Sequence, residues 1–423
     1  MDIIILAIMA LLGLYMAWNI GANDVANSMA DAVGSGALSV KKAVIAAGIC
    51  EFAGAVLVGS HVTDTIRKGI VDPSALASMP GMLEGEPAAL LVIGMSAALL
   101  SAAIWLNFST WTGMPVSTTH SIVGAIVGFA MVGIGVDAVQ WGKIGQIAAS
   151  WVVSPVLGGS IAFLLMLSIR ALILNTDNPF HNAKRWGPAY VFLVGFIISL
   201  VTMFKGLKHL NLELSAGMSF VAALVFGLIV AGVGWALINR VKVDPGADRD
   251  FHFASVEKVF APMMIFTACA MAFAHGSNDV ANGIGPLAAV VSIVQSGGEV
   301  TQKAGLPLWI LVLGGFGIVV GLATMGYKVM KTIGTRITEL TPSRGYCATL
   351  AAAATVVLAS RTGLPVSTTH IAVGAVIGVG LARGIGAIDI RVIGGIVMSW
   401  IVTLPVGGVL AALIFFTLKG IFT

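Results

Sequence analysis

Apolar residues run along this chain in blocks of helical length, separated by short polar stretches. Blocks able to reach across ~30 Å of hydrocarbon fall at residues 3–21, 43–60, 88–106, 115–136, 144–169, 188–204, 216–238, 257–275, 307–327, 346–360, 365–382 and 392–418. None shows the alternation of an outer-membrane β-strand. The pattern predicts an all-α polytopic membrane protein of about 12 transmembrane segments. The 346–360 block is short, and 115–136 and 365–382 are Gly-rich. Broken or re-entrant helices are expected there.

Composition sharpens this. Of 423 residues, 58% are hydrophobic and 10% charged, with a mean hydropathy of +0.99. A soluble domain carries about 25% charged residues. A soluble enzyme, a nucleic-acid binder and a disordered scaffold are thereby excluded, and the lipid bilayer is the solvent. Cys50, Cys269 and Cys347 lie far apart in or beside apolar blocks and form no CxxC pair. They read as small buried residues. The first block lacks a basic flank, so it reads as a retained span rather than a signal peptide. With twelve crossings and both termini outside, the inner loops hold about twice as many of the 23 Lys and Arg as the outer ones, as the positive-inside rule requires. The polar stretch Asn239 to Lys258 is then a cytoplasmic linker.

The chain also repeats itself. Gly21-Ala-Asn-Asp-Val-Ala-Asn27 returns as Gly276-Ser-Asn-Asp-Val-Ala-Asn282. Thr112-Gly-Met-Pro-Val-Ser-Thr-Thr-His120 returns as Thr362-Gly-Leu-Pro-Val-Ser-Thr-Thr-His370. Each copy differs from its partner at a single position, and the two motifs keep nearly the same separation in both halves. The expected organisation is a first repeat over 1–175, connecting spans and linker over 176–256, and a second repeat over 257–423. An odd number of spans separates the copies, so they run oppositely through the bilayer. Inverted-topology repeats are the architecture of secondary transporters, which hold substrate near the bilayer midplane.

The motifs supply matching chemistry. Asp24 and Asp279 are carboxylates at membrane depth with no Lys or Arg in either motif. Such a charge needs a partner, and a bound cation is the simplest. Asn23, Asn27, Asn278 and Asn282 add neutral oxygens, and carbonyls of a helix broken after the motif would complete a cage for Na⁺. A proton on the carboxylate also fits. A helix cap or surface turn would explain one Asn-Asp, but not a doubled block. Ser117, Thr118, Thr119 and Ser367, Thr368, Thr369 follow a Pro at the start of an apolar helix. Hydroxyls, unpaired N–H groups and the positive end of the helix dipole make an anion site without Arg. Two such starts could converge on one tetrahedral oxyanion. His120 and His370, further into each helix, read either as structural or as donors to the anion or a proton relay. Glu51 reads either as a relay or cation ligand, or as a side chain snorkelling to the interface. The Gly124–Gly128 and Gly374–Gly378 runs read as close helix packing. No G-x-S-x-G elbow accompanies the Ser-Thr-Thr-His segments, so an enzyme is not expected.

The doubled Gly-x-Asn-Asp-Val-Ala-Asn and Pro-Val-Ser-Thr-Thr-His blocks resemble those of the inorganic phosphate transporter (PiT) family of secondary carriers. The resemblance covers roughly residues 10–175 and 257–415. It implies symport of inorganic phosphate with Na⁺, or with H⁺ in some members, and includes sulfate-carrying relatives. It implies that Asn23, Asp24, Asn278 and Asp279, with the two Ser-Thr-Thr runs, serve the ion and substrate site. The short central loop fits a prokaryotic member in the cell (inner) membrane. A homodimer is compatible with such a carrier. No organic cofactor is expected.

Overall fold

The computed structural model describes residues 2–68, 70–71, 86–202, 215–243, 253–297, 306–327, 330, 341–384 and 389–422. Thirteen α-helices lie among them. In chain order they are α1 (Asp2–Gly34), α2 (Val40–Val58), α3 (Ser60–Lys68), α4 (Glu86–Thr112), α5 (Thr118–Gly133), α6 (Trp141–Ile169) and α7 (Pro179–Val201). Then come α8 (Ala216–Asn239), α9 (Ala254–Gln295), α10 (Leu308–Thr324), α11 (Pro342–Thr362), α12 (Thr368–Arg383) and α13 (Ile390–Phe422). Six apolar helical stretches are long enough to cross a membrane alone. The all-α polytopic expectation holds. The linker expected from Asn239 to Lys258 lies partly outside the described residues.

Two boundaries differ from the sequence reading. The first and eighth spans do not stop before their Asn-Asp motifs. α1 and α9 run through them as 33- and 42-residue helices. Both helices continue through the motifs; in α9, Pro286 has no N–H to give the Asn282 carbonyl, so that one motif carbonyl lacks its helical hydrogen bond. The breaks come instead at Gly113–Ser117, between α4 and α5, and at Gly363–Ser367, between α11 and α12. Gly113 and Gly363 take φ of 72° and 71°, a left-handed conformation that Gly adopts without strain. The following Pro prevents the preceding helix from continuing.

Helices from the two halves interleave. α1 packs on α10 and α9 on α2; α5 packs on α13 and α12 on α6. Small residues permit this closeness. A Cβ on Gly21 would strike the Ile318 carbonyl, and one on Gly276 the Glu51 carbonyl. A Cβ on Gly124 would meet the Leu404 carbonyl, and one on Gly374 the Pro155 carbonyl. Because backbone lies opposite each of these glycines, no side-chain rotation could make room. The two Gly-rich runs are thus helix-packing surfaces.

Gly128 faces the backbone of Gly408, whereas Gly142 has open space around it. Gly128→Leu should therefore abolish recovery of monodisperse protein, or lower stability by about 3 kcal/mol or more. Gly142→Ala should leave it intact. Size-exclusion profiles and unfolding temperatures of the two variants in detergent compare them directly.

Candidate ion and anion site

The two Asn-Asp motifs lie in mid-helix on α1 and α9, which pack against each other. Around them gather the starts of α5 and α12. Asp24, Glu51, His275 and Asp279 are all at most 1% exposed. His275 stands at the centre. Its Nε2 lies 3.0 Å from Asp279 Oδ2 and 3.9 Å from Asp24 Oδ2, and its Nδ1 lies 3.2 Å from Glu51 Oε1. Asp24, His275 and Asp279 each offer one ligand atom within 4.8 Å of the others. Both motif aspartates therefore meet in one site. Glu51 does not snorkel; it is buried with them and accepts from Ser28 Oγ at 3.4 Å.

The two aspartates are not equally satisfied. Asp279 accepts from Thr368 Oγ1 at 2.7 Å, from its neighbour Asn278 at 2.9 Å and from Asn282 at 3.2 Å. Asp24 has only the His275 ring, at 3.9 Å, and the Thr118 hydroxyl approaching it, with no hydrogen bond of good geometry to either oxygen; Glu51 Oε2 and Asn282 Oδ1 are likewise buried without one. Buried acceptors of this kind are costly unless something positive or protic meets them.

Around this cluster the asparagines point their amides at the Ser-Thr-Thr segments. Asn27 donates to Thr369 Oγ1 at 2.9 Å, and Asn282 to Thr118 and Thr119 Oγ1 at 3.3 and 3.1 Å. Asn278 donates to the Val366 carbonyl, and Asn23 to Thr110 Oγ1, both at 2.9 Å. Thr119 and Thr369 each donate across to the opposite loop, to the Val366 and Val116 carbonyls, at 3.0 and 3.5 Å. Ser117 and Ser367 cap α5 and α12 by accepting from the His120 and His370 amides, both at 3.2 Å. Every candidate residue of both motifs thus belongs to one connected buried region, where two helix N-termini meet a carboxylate cluster. His120 and His370 turn away from it, stacking on Trp151 and Trp400.

The sequence reading missed His275. Its signal was there: an ionisable side chain in an apolar block, four residues before Asp279, where the first motif copy has Ile20. Glu51 breaks the repeat in the same way. Gly276 meets the Glu51 backbone as Gly21 meets the Ile318 backbone, so the His275–Glu51 pair, one residue from each half, has Ile20 and Ile318 as its repeat-related counterpart.

Comparison with known proteins fits this geometry. The sequence profile described as "Phosphate transporter family" matches residues 20–411. The chain belongs to the phosphate transporter family. It is a transporter and not an enzyme. It is 48% identical to a Haemophilus influenzae protein proposed to be a phosphate permease, over 98% of this chain and 97% of that one. It is 42% identical to the Arabidopsis thaliana chloroplastic inorganic phosphate transporter 2-1, over 95% of this chain and 70% of that one. A solved structure described as the sodium-dependent phosphate transporter superposes with a TM-score of 0.88. It is 41% identical and matches 99% of this chain and all of its own.

Two outcomes test the site's energetics. Ser117→Ala and Ser367→Ala should each cost about 1 kcal/mol of stability through the lost cap, read from unfolding in detergent. His275→Ile should cost roughly 3 kcal/mol, because it strands buried carboxylates without the imidazole that lies between them. The double change His275→Ile with Glu51→Ile copies the Ile20/Ile318 pair and should recover part of that loss. No recovery would mean that His275 and Glu51 do not compensate each other.

Proposed function

We propose that this phosphate transporter is a secondary active carrier that imports inorganic phosphate by symport with Na⁺. The carrying observation is the set of buried acceptors that receive no well-formed hydrogen bond: both oxygens of Asp24, Glu51 Oε2 and Asn282 Oδ1. Three carboxylates share the cluster with one imidazole, so it holds at most one positive charge against three negative. A phosphate dianion cannot enter such a place unless cations come with it. Na⁺ takes oxygen ligands, and the side chains of Asn23, Asp24, Asn27, Asn278, Asp279 and Asn282 supply them. The sodium-dependent structural neighbour supports the same ion.

Phosphate would lie against the α5 and α12 starts, held by the hydroxyls of Ser117, Thr118, Thr119, Ser367, Thr368 and Thr369 and by the first-turn amides. Monohydrogen phosphate retains an O–H that a carboxylate can accept, which sulfate lacks. This would favour phosphate over sulfate. The two halves, 1–175 and 257–423, would be inverted-topology repeats joined by residues 176–256, with both termini outside the cell membrane. The inward Na⁺ gradient would then drive import by alternating access around a central site.

The test is phosphate binding at fixed pH with choline replacing Na⁺, together with labelled-phosphate uptake into proteoliposomes. Removing Na⁺ should abolish high-affinity binding, and Asp24→Asn should lower the apparent Na⁺ affinity at least about tenfold, the equivalent of 1.4 kcal/mol. Unchanged affinity in choline excludes Na⁺ coupling. Binding that then follows pH alone establishes the proton-coupled alternative, and preferential uptake of sulfate establishes a sulfate permease.

A further inference from the structure

The two helix breaks are the tips of hairpins that enter the bundle from opposite faces. α4 runs beside α1 in the same direction: Ser96 Oγ donates to Met9 Sδ at 3.0 Å, and further along both helices Asn23 donates to Thr110 Oγ1. α5 then turns back along α13, where Gly124 meets Leu404, Gly128 meets Gly408 and Gly133 meets Phe415. The start of α1 and the end of α13 share one face, around Ile4 and Phe422. α11 comes from the other face, where Glu257 at the start of α9 accepts from the Ser343 amide and hydroxyl at 2.7 and 2.8 Å. α12 returns that way along α6, from Gly374 opposite Pro155 to Ala382, whose carbonyl accepts from Arg170. The Gly113–Ser117 tip therefore points toward this second face, and the Gly363–Ser367 tip toward the face that carries the N-terminus.

The two tips have nearly the same sequence but are not equally covered. α3 lies over the second one. Its Thr65 Oγ1 donates to the Gly363 carbonyl at 2.6 Å. Ile66 seats on the bare backbone of Gly285 in α9, where a Cβ would come within 2.3 Å of it. Val62, Thr63 and Ile66 are buried, while Asp64 on the same helix is exposed. Gly363 and Pro365 are buried too, whereas their repeat counterparts Gly113 and Pro115 are only half-buried. Beside those, Met114 is 36% and Trp111 75% exposed. Among the described residues, the bond from Thr65 is the one hydrogen bond that α3 makes to the hairpin, and Gly59 alone separates α3 from α2.

We propose that α3 is a door over the paired helix starts, shut toward the N-terminal face while Thr65 is bonded to Gly363 and opened when that bond breaks and α3 swings about Gly59. The inference rests on reading the α5 and α12 starts as the anion site. A carrier must keep its central site from opening to both faces at once, and here the covered tip and the uncovered tip belong to opposite faces. A door also has to come free at small cost. One net hydrogen bond is worth about 1 kcal/mol, and a short helix with an exposed Asp64 can be solvated as it lifts away, where an apolar one could not. The hinge falls at a terminus between two helices, where a small residue can absorb the change in backbone angles.

The experiment compares two repeat-related tip variants of the full-length protein, Met114→Cys and Leu364→Cys. A membrane-impermeant methanethiosulfonate is applied to whole cells and to inverted vesicles, and peptide mass reads modification at the substituted position. Met114→Cys should react readily from the face opposite the N-terminus, and Leu364→Cys only slowly from the N-terminal face. Adding Thr65→Val keeps the shape and removes the donor. It should speed the Leu364→Cys reaction at least about fivefold, the worth of one net hydrogen bond, without speeding that of Met114→Cys. Thr65→Ser keeps the donor and should leave both rates as they were. An unchanged Leu364→Cys rate with Thr65→Val overturns the proposal. So does equal reactivity of the two tip variants, each from its own face, while Thr65 is intact. If Leu364→Cys does not fold, hydrogen exchange at the Leu364, Val366 and Ser367 amides decides: faster exchange in Thr65→Val is expected, and unchanged exchange overturns the door. No Na⁺ or phosphate enters these readouts, so the door can fail while the symport reading stands.

Discussion

Everything at the centre of this protein is arranged around an excess of buried negative charge. Asp24, Glu51 and Asp279 are shut away from solvent in a bundle that is otherwise apolar, and among the described residues their only ion-pair partner is His275. A soluble protein could relieve that strain by admitting water or a surface lysine. A lipid-embedded one has neither, so the charge must be met by internal donors or by ions that arrive from outside. Asp279 takes the first route through Thr368, Asn278 and Asn282. Asp24, with only long approaches from His275 and Thr118, is left largely to the second.

The charge cluster in turn depends on how closely the helices approach. Gly21 lets α1 lie directly against the α10 backbone, and Gly276 lets α9 lie against α2 at Glu51. A side chain at Gly276 would push α2 outward and carry Glu51 away from His275. The same economy of size governs the other bundle, where Gly124, Gly128, Gly374 and Gly378 seat α5 and α12 against α13 and α6. Those contacts fix the two helix starts that carry Ser117 and Ser367. In hydrocarbon, where apolar burial gives little net drive to helix association, such close packing is what aligns polar groups to within hydrogen-bond distance.

Much of this was legible in the residues. The apolar blocks gave the class, and the doubled motifs gave residues that the fold brings together, because an intramembrane Asn-Asp and a Pro-Val-Ser-Thr-Thr start each have a physical use. The helix break at Gly113–Ser117 was readable from Gly followed by Pro. The break expected after Asn-Asp was not real, since an Asp within a helix is tolerated when its side chain has polar neighbours elsewhere in the fold, and those neighbours are hundreds of residues away in sequence. His275 was overlooked because repeat matching rewards positions that agree, whereas His275 and Glu51 stand where the repeat disagrees. The unequal satisfaction of Asp24 and Asp279 was equally out of reach. Thr368 closes a 2.7 Å bond to Asp279, whereas Thr118, which accepts from Asn282, only approaches Asp24, a difference between identical motifs.

That departure from symmetry bears on how coupling would work. Two identical carboxylate sites would bind ions alike and give no order to their arrival. Here Asp279 is already braced by three donors and an imidazole at 3.0 Å, so an ion there gains less than one at Asp24, which has only longer approaches from His275 and Thr118. In the Na⁺-coupled reading, the first ion would go to Asp24, bringing positive charge beside the α5 start and Asn282. Anion affinity at the paired helix starts would then rise with that ion in place, and by linkage the bound anion would strengthen the ion's hold by the same factor. Such mutual dependence keeps a carrier from moving either species alone. In that reading it follows from placing the proposed anion site, which has no Arg or Lys of its own, against carboxylates that outnumber their single histidine.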